Sequence, residues 1–202
     1  MKTELLVIMF MQLSFQSAPS AEENRSLPFD RARINRYSLD GLPRSISIRQ
    51  GQDIWLGYDL ERATLQKVWR APSGKPGLSE GFTTRSLGTT LFEDKTDDAW
   101  KLQTRKQTLP LKIRYLGCSQ REKYFELSWE LQHESHKFVL LERISISKAS
   151  DAIKASRILR VKGLNSGDSL LLPNSAGEAW HSSENNSARS LTDEQWHLIY
   201  LP

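Results

Sequence analysis

Apolar and polar residues alternate along most of this chain in short runs, the two-residue period of half-buried strands. Ser45-Ile46-Ser47-Ile48-Arg49 alternates cleanly. Ile54-Trp55-Leu56-Gly57-Tyr58 follows as an apolar and aromatic run, is interrupted by charge at residues 59–63, and resumes as Leu65-Gln66-Lys67-Val68-Trp69. Two such runs joined by a few polar residues predict a hairpin at the centre of a β-rich core. Ile54, Leu56 and Tyr58 share one phase, and Trp55 falls in the other. Leu111, Ile113 and Tyr115 alternate next, then Phe125, Leu127, Trp129 and Leu131. Residues 132–136 read as a polar turn, and 137–147 as a strand whose two-sided apolar start predicts a central position. Residues 158–164, 169–172, 179–181 and 196–201 continue the pattern, with a turn at Asn165-Ser166-Gly167-Asp168.

Helix signals are few. Ser150 and Asp151 are acceptable caps, so residues 151–156 are expected to form one helical turn. About ten to twelve short strands with regularly spaced turns predict an all-β, antiparallel β-sandwich with little helix. Its expected extent is a single domain over residues 43–202, after an irregular segment at 21–42. Residues 71–98 break the pattern, because Ala71-Pro72-Ser73-Gly74-Lys75-Pro76-Gly77 holds neither a helix nor a central strand. A loop of this length in a compact domain is commonly functional, which makes it the expected place for a binding surface.

Composition adds a compartment more than a chemistry. The chain has 202 residues, 38% hydrophobic and 26% charged, enough apolar content for a globular core. The net charge of +4 is spread among interspersed acidic residues, not gathered in the stripe that nucleic-acid binding uses, so no nucleic-acid partner is expected. Lys2 precedes an apolar run at residues 5–11, and Ser17, Ala18, Ser20 and Ala21 follow. That order reads as a signal peptide over residues 1–20 and predicts export to a periplasmic or extracellular location. The run is too short for a stable membrane span. Cys118 stands alone in the sequence, so core packing has to hold the fold, and its place at the end of a strand-like run reads as a small half-buried hydrophobe.

Chemistry-bearing residues are scattered. His133 and His136 are three apart but fall on a predicted hairpin turn, which reads as solvated, not metal-ligating. His181 and His197 read as strand ends. Of the many carboxylates, Glu126 and Glu130 share the polar face of one strand, and Asp59 is placed to cap the hairpin turn. No catalytic residue, metal site or cofactor motif is assigned. The six Trp residues carry more, because indole faces stack on sugar rings and other apolar ligands. Trp129 belongs to the apolar face. Trp55, out of phase, and Trp69, beside the long loop, combine with Arg70 and Lys75 into the expected ligand-binding surface.

Two resemblances bear on function. Trp55-Leu56-Gly57-Tyr58-Asp59 followed by Leu65-Gln66-Lys67-Val68-Trp69-Arg70 resembles an uncharacterised β-rich module of bacterial exported multidomain proteins, where it accompanies cytochrome c-type domains. Residues 41–48, 112–117 and 125–131 are similar to neighbouring strands of that module, so the resemblance spans roughly residues 28–147. It implies an exported module, with an accessory role beside a redox protein as one alternative. The chain has no Cys-x-x-Cys-His haem motif, so electron transfer by the chain itself is not implied. Glu142-Arg143 and Arg157-Ile158-Leu159-Arg160-Val161 also look like strands of the large galactose mutarotase-like sandwiches, which bind sugars on a concave sheet face. That implies, as the other alternative, a carbohydrate-active enzyme of epimerase, lyase or hydrolase class. The first expectation is a non-enzymatic binding or accessory module with a carbohydrate or protein partner.

Overall fold

A computed structural model describes residues 34–51, 53–121, 124–149, 152–173, 181–182 and 190–200. The expected signal peptide over residues 1–20 and residues 179–180 of the expected short strand lie outside them. The described chain is all-β, with no helix. The strands are β1 (Ile34–Asn35), β2 (Ser38–Leu39), β3 (Ser45–Gln50), β4 (Ile54–Asp59), β5 (Thr64–Arg70), β6 (Thr83–Thr84) and β7 (Thr89–Glu93). They continue as β8 (Lys101–Gln103), β9 (Thr108–Pro110), β10 (Lys112–Gln120), β11 (Phe125–His133), β12 (His136–Ala149) and β13 (Ala152–Lys162). The last are β14 (Ser169–Leu171), β15 (His181–Ser182), β16 (Ser190–Leu191) and β17 (Trp196–Tyr200).

Two antiparallel sheets face each other. One runs β1-β3-β4-β5-β7 and the other β10-β11-β12-β13-β17-β15. A four-stranded sheet, β16-β14-β8-β9, adds Leu102, Leu170 and Leu191 to the same core. Burial along β11 follows the period-2 reading: Phe125, Leu127, Trp129 and Leu131 are buried, with partly exposed residues between them. Ile46, Ile48, Ile54, Leu56 and Tyr58 meet them from the first sheet, and the Tyr58 and Trp129 rings lie 6.2 Å apart. β12 is flanked by β11 and β13, the central position its apolar start predicts.

Among the described residues, three bulges adjust this pattern. Gln66 is the extra residue of β5 between Leu65 and Lys67, so Leu65 and Val68 both reach the core although three positions separate them. Leu91 and Leu116 are the unpaired residues at bulges in β7 and β10, and both are exposed. A bulge thus explains an exposed leucine in each case.

Two expectations are corrected. Residues 152–156 extend β13 and form no helical turn, because eleven ladder pairs with β12, from Val139↔Lys162 to Ala149↔Ala152, outweigh a local cap signal. The segment expected to be irregular up to residue 42 contains β1, paired to β3, and β2, paired in parallel to β6. Both are two-residue strands fixed by distant partners, which leave little periodicity to read.

Candidate functional site

The hairpin β4–β5 turns tightly because Asp59 caps it. Its Oδ1 accepts from the backbone N–H of Glu61 (2.8 Å) and Arg62 (3.1 Å), and Arg62 Nε donates to Oδ2 at 2.9 Å. Every residue of β4 is buried. Ile54, Leu56 and Tyr58 point into the sandwich, while Trp55, Gly57 and Asp59 alternate to the outer face of the sheet.

What covers that outer face is the long loop. Trp55 and Trp69 are direct cross-strand partners and stack with centroids 5.9 Å apart and planes 13° apart. Leu39, Ala71 and Leu78 complete a second, smaller core around them. Trp69 Nε1 donates to the Gly77 carbonyl at 2.8 Å, and the same carbonyl accepts the Leu87 N–H at 2.9 Å. Gly77 packs so closely that a β-carbon there would stand 2.0 Å from Trp55 Nε1. Further along, Asp40 receives the Ser86 N–H (2.8 Å), the Ser86 hydroxyl (2.7 Å) and Lys67 Nζ (3.0 Å). Burial acts to raise the Asp40 carboxyl, but the Ser86 hydrogen bonds and Lys67 outweigh it and hold it below its ordinary value. The Thr84 carbonyl accepts from the Asp40 N–H at 2.9 Å. Residues 71–88 are therefore a pinned lid.

This corrects the expected aromatic surface. Trp55 is 1% exposed and Trp69 0%, so the pair anchors the lid from beneath and offers no face to a ligand. The physical reason is simple: the outward phase of a central strand is solvated only if nothing packs on it, and here the lid does. Arg70 is partly exposed with its Nε 3.6 Å from Asp53, and Lys75 is exposed at a turn where its N–H donates to the Pro72 carbonyl at 3.1 Å. The structure brings the two Trp residues together and leaves Lys75 exposed on the lid and Arg70 partly exposed at the end of β5.

The lid presents other residues instead. Phe82, at its tip, is 92% exposed, the extreme among the described large hydrophobics. Tyr37 is exposed too, and it precedes Ser38 as Phe82 precedes Thr83, the first matched pair of the parallel β2–β6 ladder. Both aromatics thus leave the same end of that bridge. The lid then runs through Leu87 into β7, whose second edge has no partner strand among the described residues and whose Thr89, Thr90 and Leu91 are exposed. The sequence pattern alone gives Phe82 no assigned role. Its one signal was a lone aromatic in the polar stretch Ser79-Glu80-Gly81-Phe82-Thr83-Thr84.

A second cluster escaped notice for the opposite reason. Glu142, 0% exposed, lies inside the sandwich between Phe138, Leu140 and Ile144 in its own strand's apolar phase. Tyr58 Oη donates to its Oε1 at 2.6 Å, and Arg157, itself buried, donates from Nε to Oε1 and from Nη2 to Oε2 at 2.6 Å. Burial, then the Glu142 charge, pushes the Tyr58 hydroxyl well above its ordinary range. Burial opposes the charge of Arg157, but Glu142 more than offsets it and raises that pKa. This is a sealed, mutually satisfied ion pair with a phenol attached. The visible signal was a Glu in phase with Phe138 and Leu140, and an Arg in phase with Leu159 and Val161.

The remaining chemistry-bearing residues take ordinary roles. Glu126 pairs with Arg143 (2.7 Å), and Glu130 with Arg114 (3.1 Å) and Lys137 (3.4 Å), on the solvent face of the sheet. His133 and His136 close the β11–β12 ladder as its last pair. Cys118 is half-buried, and burial pushes its thiol up to about 11, away from the thiolate needed for nucleophilic work.

Fold and site together define an all-β sandwich with a lidded outer face. Comparison with models of protein families, with curated proteins and with solved structures finds no match for this chain.

Proposed function

We propose that this chain is an exported, non-enzymatic recognition module that engages a protein partner through the lid tip and the adjoining β7 edge. Phe82 carries the reading. A phenyl ring 92% exposed on a loop tied down by Trp69, Gly77 and Asp40 is an apolar contact presented on an already ordered backbone, so binding has only the side chain left to order. The edge of β7 away from β5, which has no partner strand among the described residues and bears the exposed Thr89, Thr90 and Leu91, can accept an extended polypeptide as an added strand. Natural edges are usually guarded by charge; β7 carries a single charged residue, Glu93, at its end. Export rests on the leader-like order of Lys2, the apolar run at 5–11 and the small residues that follow. No described helix is long and apolar enough to cross a membrane.

A carbohydrate partner is the second reading, favoured by Tyr37 beside Phe82 at one end of the β2–β6 bridge. Exposed aromatic pairs stack on sugar rings. The test is to screen the chain lacking residues 1–20 against arrayed extended peptides and against a glycan array, with Phe82→Ser alongside. Peptide binding lost in Phe82→Ser is the expected result. Glycan binding lost in that variant favours the second reading. Binding that Phe82→Ser leaves intact removes the lid tip from either.

A further inference from the structure

The lid ends in a tight loop of its own. Leu78 and Ser86 form an antiparallel bridge across its base. Just above them the Ser79 N–H donates to the Arg85 carbonyl at 2.9 Å, and the Arg85 N–H donates to the Ser79 hydroxyl at 2.8 Å. Gly81 turns the chain at the tip with φ at 112°. The parallel β2–β6 ladder holds the returning limb down, as does the Thr84 hydroxyl, which donates to the Ser38 carbonyl at 2.8 Å. Glu80, Phe82, Thr83 and Arg85 are exposed on this fixed loop.

Three of these side chains have nothing to do within the fold. Phe82 belongs to neither apolar cluster. The Glu80 carboxylate and the Arg85 guanidinium make no ion pair or hydrogen bond among the described residues, whereas the nearby Lys67 is paired with both Asp40 and Glu93. Their spacing is the informative feature. Glu80 precedes Phe82 by two residues, and Arg85 follows Thr83 by two. An acid and a base thus stand at equal distances on either side of the Phe82–Thr83 bond. A second copy laid antiparallel on the loop, about a two-fold axis through that bond, sets Glu80 of each copy opposite Arg85 of the other. The same operation brings the two Phe82 rings together beside the axis. A different partner would have to supply a base, an acid and an apolar contact at matching positions; a second copy supplies all three.

We propose that two copies of this chain associate through their lid tips about this axis, ring against ring at Phe82, with Glu80 of each copy against Arg85 of the other. The inference rests on the lid-tip reading and names the partner at that site. Burial of the two rings supplies the attraction. Exposed ion pairs add little energy, but they reject a partner in the wrong register. Tyr37 and Leu87, both exposed, widen the apolar contact. A contact built on one loop from each copy falls in the small-interface class, so the association is weak and reversible.

The test is sedimentation equilibrium of the chain lacking residues 1–20, from micromolar to millimolar concentration. A reversible dimer is expected, and Phe82→Ser should leave a monomer throughout. Glu80→Arg and Arg85→Glu each set like charges together twice in the dimer and should weaken it by roughly tenfold. The double variant Glu80→Arg/Arg85→Glu re-creates both pairs with their signs exchanged and should restore the original association. All three positions are exposed, so no variant disturbs the core. A chain that stays monomeric at every concentration overturns the proposal. So does a dimer that Phe82→Ser leaves intact, or one that the double variant fails to restore. The lid-tip reading fails separately: Phe82-dependent peptide binding by a monomeric chain upholds that reading and overturns only the second copy as its partner.

Discussion

The two faces of the β4–β5 hairpin are both dry, yet they are dried by different means. The inner face lies against a whole second sheet, in a cluster that includes Ile46, Leu56, Leu127, Trp129, Leu140 and Leu159. The outer face lies under a single loop, in a cluster of Leu39, Trp55, Trp69, Ala71 and Leu78. Interiors of the first kind are close-packed and redundant, so they tolerate one large irregularity, here the Glu142–Arg157 pair. A five-residue core under a loop has no such redundancy. It depends on one close contact at Gly77 and a few hydrogen bonds. The difference separates what keeps the protein folded from what keeps its proposed recognition surface in shape.

The sharpest break comes from the inner face. Arg157→Met leaves the Glu142 carboxylate buried without its partner, and a broken buried pair costs about 3–5 kcal/mol, read as a lower midpoint in urea unfolding. The triple variant Tyr58→Phe/Glu142→Leu/Arg157→Met should recover most of that loss, because it removes both charges and the phenol hydroxyl that donates to Glu142, leaving no buried polar group without a partner. If the triple variant is as unstable as the single one, the cluster is doing more than neutralising itself.

On the outer face, Gly77→Ala drives a methyl into the Trp55 indole, with the nearest atoms at 2.0, 2.5 and 2.6 Å. Overpacking of this kind costs about 1–3 kcal/mol. The comparison predicts where it is felt: amide exchange of Ser79 and Leu87, both hydrogen-bonded within the lid, should accelerate. Amides in β11–β13 should keep their protection. Equal acceleration in both places would show that lid and sandwich open as one unit.

These two faces also mark how far the sequence could be read. Period-2 alternation places Phe125, Leu127, Trp129 and Leu131 correctly, because a strand's own phase decides which side chains share a face. It likewise puts Ile54, Leu56 and Tyr58 inward and Asp59 at the cap. Phase does not say what packs on the other side. Trp55 was correctly out of phase, but its cover comes from residues 71–88 and from Leu39, a non-local arrangement with no local pattern. Of the expected surface, Arg70 and Lys75 are on the outside and Trp55 and Trp69 are not. Glu142 and Arg157 were legible in principle, since each occupies an apolar phase, but pairing them needs the β12–β13 register.

A finer test separates packing from hydrogen bonding under the lid. Trp69→Phe keeps an aromatic ring against Trp55 and removes the N–H that donates to Gly77. The Gly77 carbonyl still accepts the Leu87 N–H, so no buried acceptor is orphaned. The loss should be only about 1 kcal/mol, a single net hydrogen bond. A loss several times larger would mean that the indole's shape, not its donor, holds the lid.

The smallest effect is also the one that discriminates best by pH. Asp40 sits at the lid's far attachment, where Ser86 and Lys67 hold its carboxyl below the ordinary value despite partial burial. A carboxylate depressed in the folded state contributes stability that is present above its unfolded pKa and lost as pH falls through the lower folded value. Acid should therefore release the lid at Ser86 before it disturbs the sandwich, where the Tyr58–Glu142–Arg157 cluster is shut away from solvent. The expected observation is a pH-dependent rise in lid opening, seen as line broadening at Ser86 and Leu87 in the acidic range, with the β11–β13 resonances unchanged. Asp40→Asn should abolish the pH dependence and leave the lid in its loosened state at neutral pH, with little change in global Tm. Should Ser86 and the β11–β13 resonances move together on acidification, the lid is not an independent element, and the contrast between the two faces of the hairpin fails.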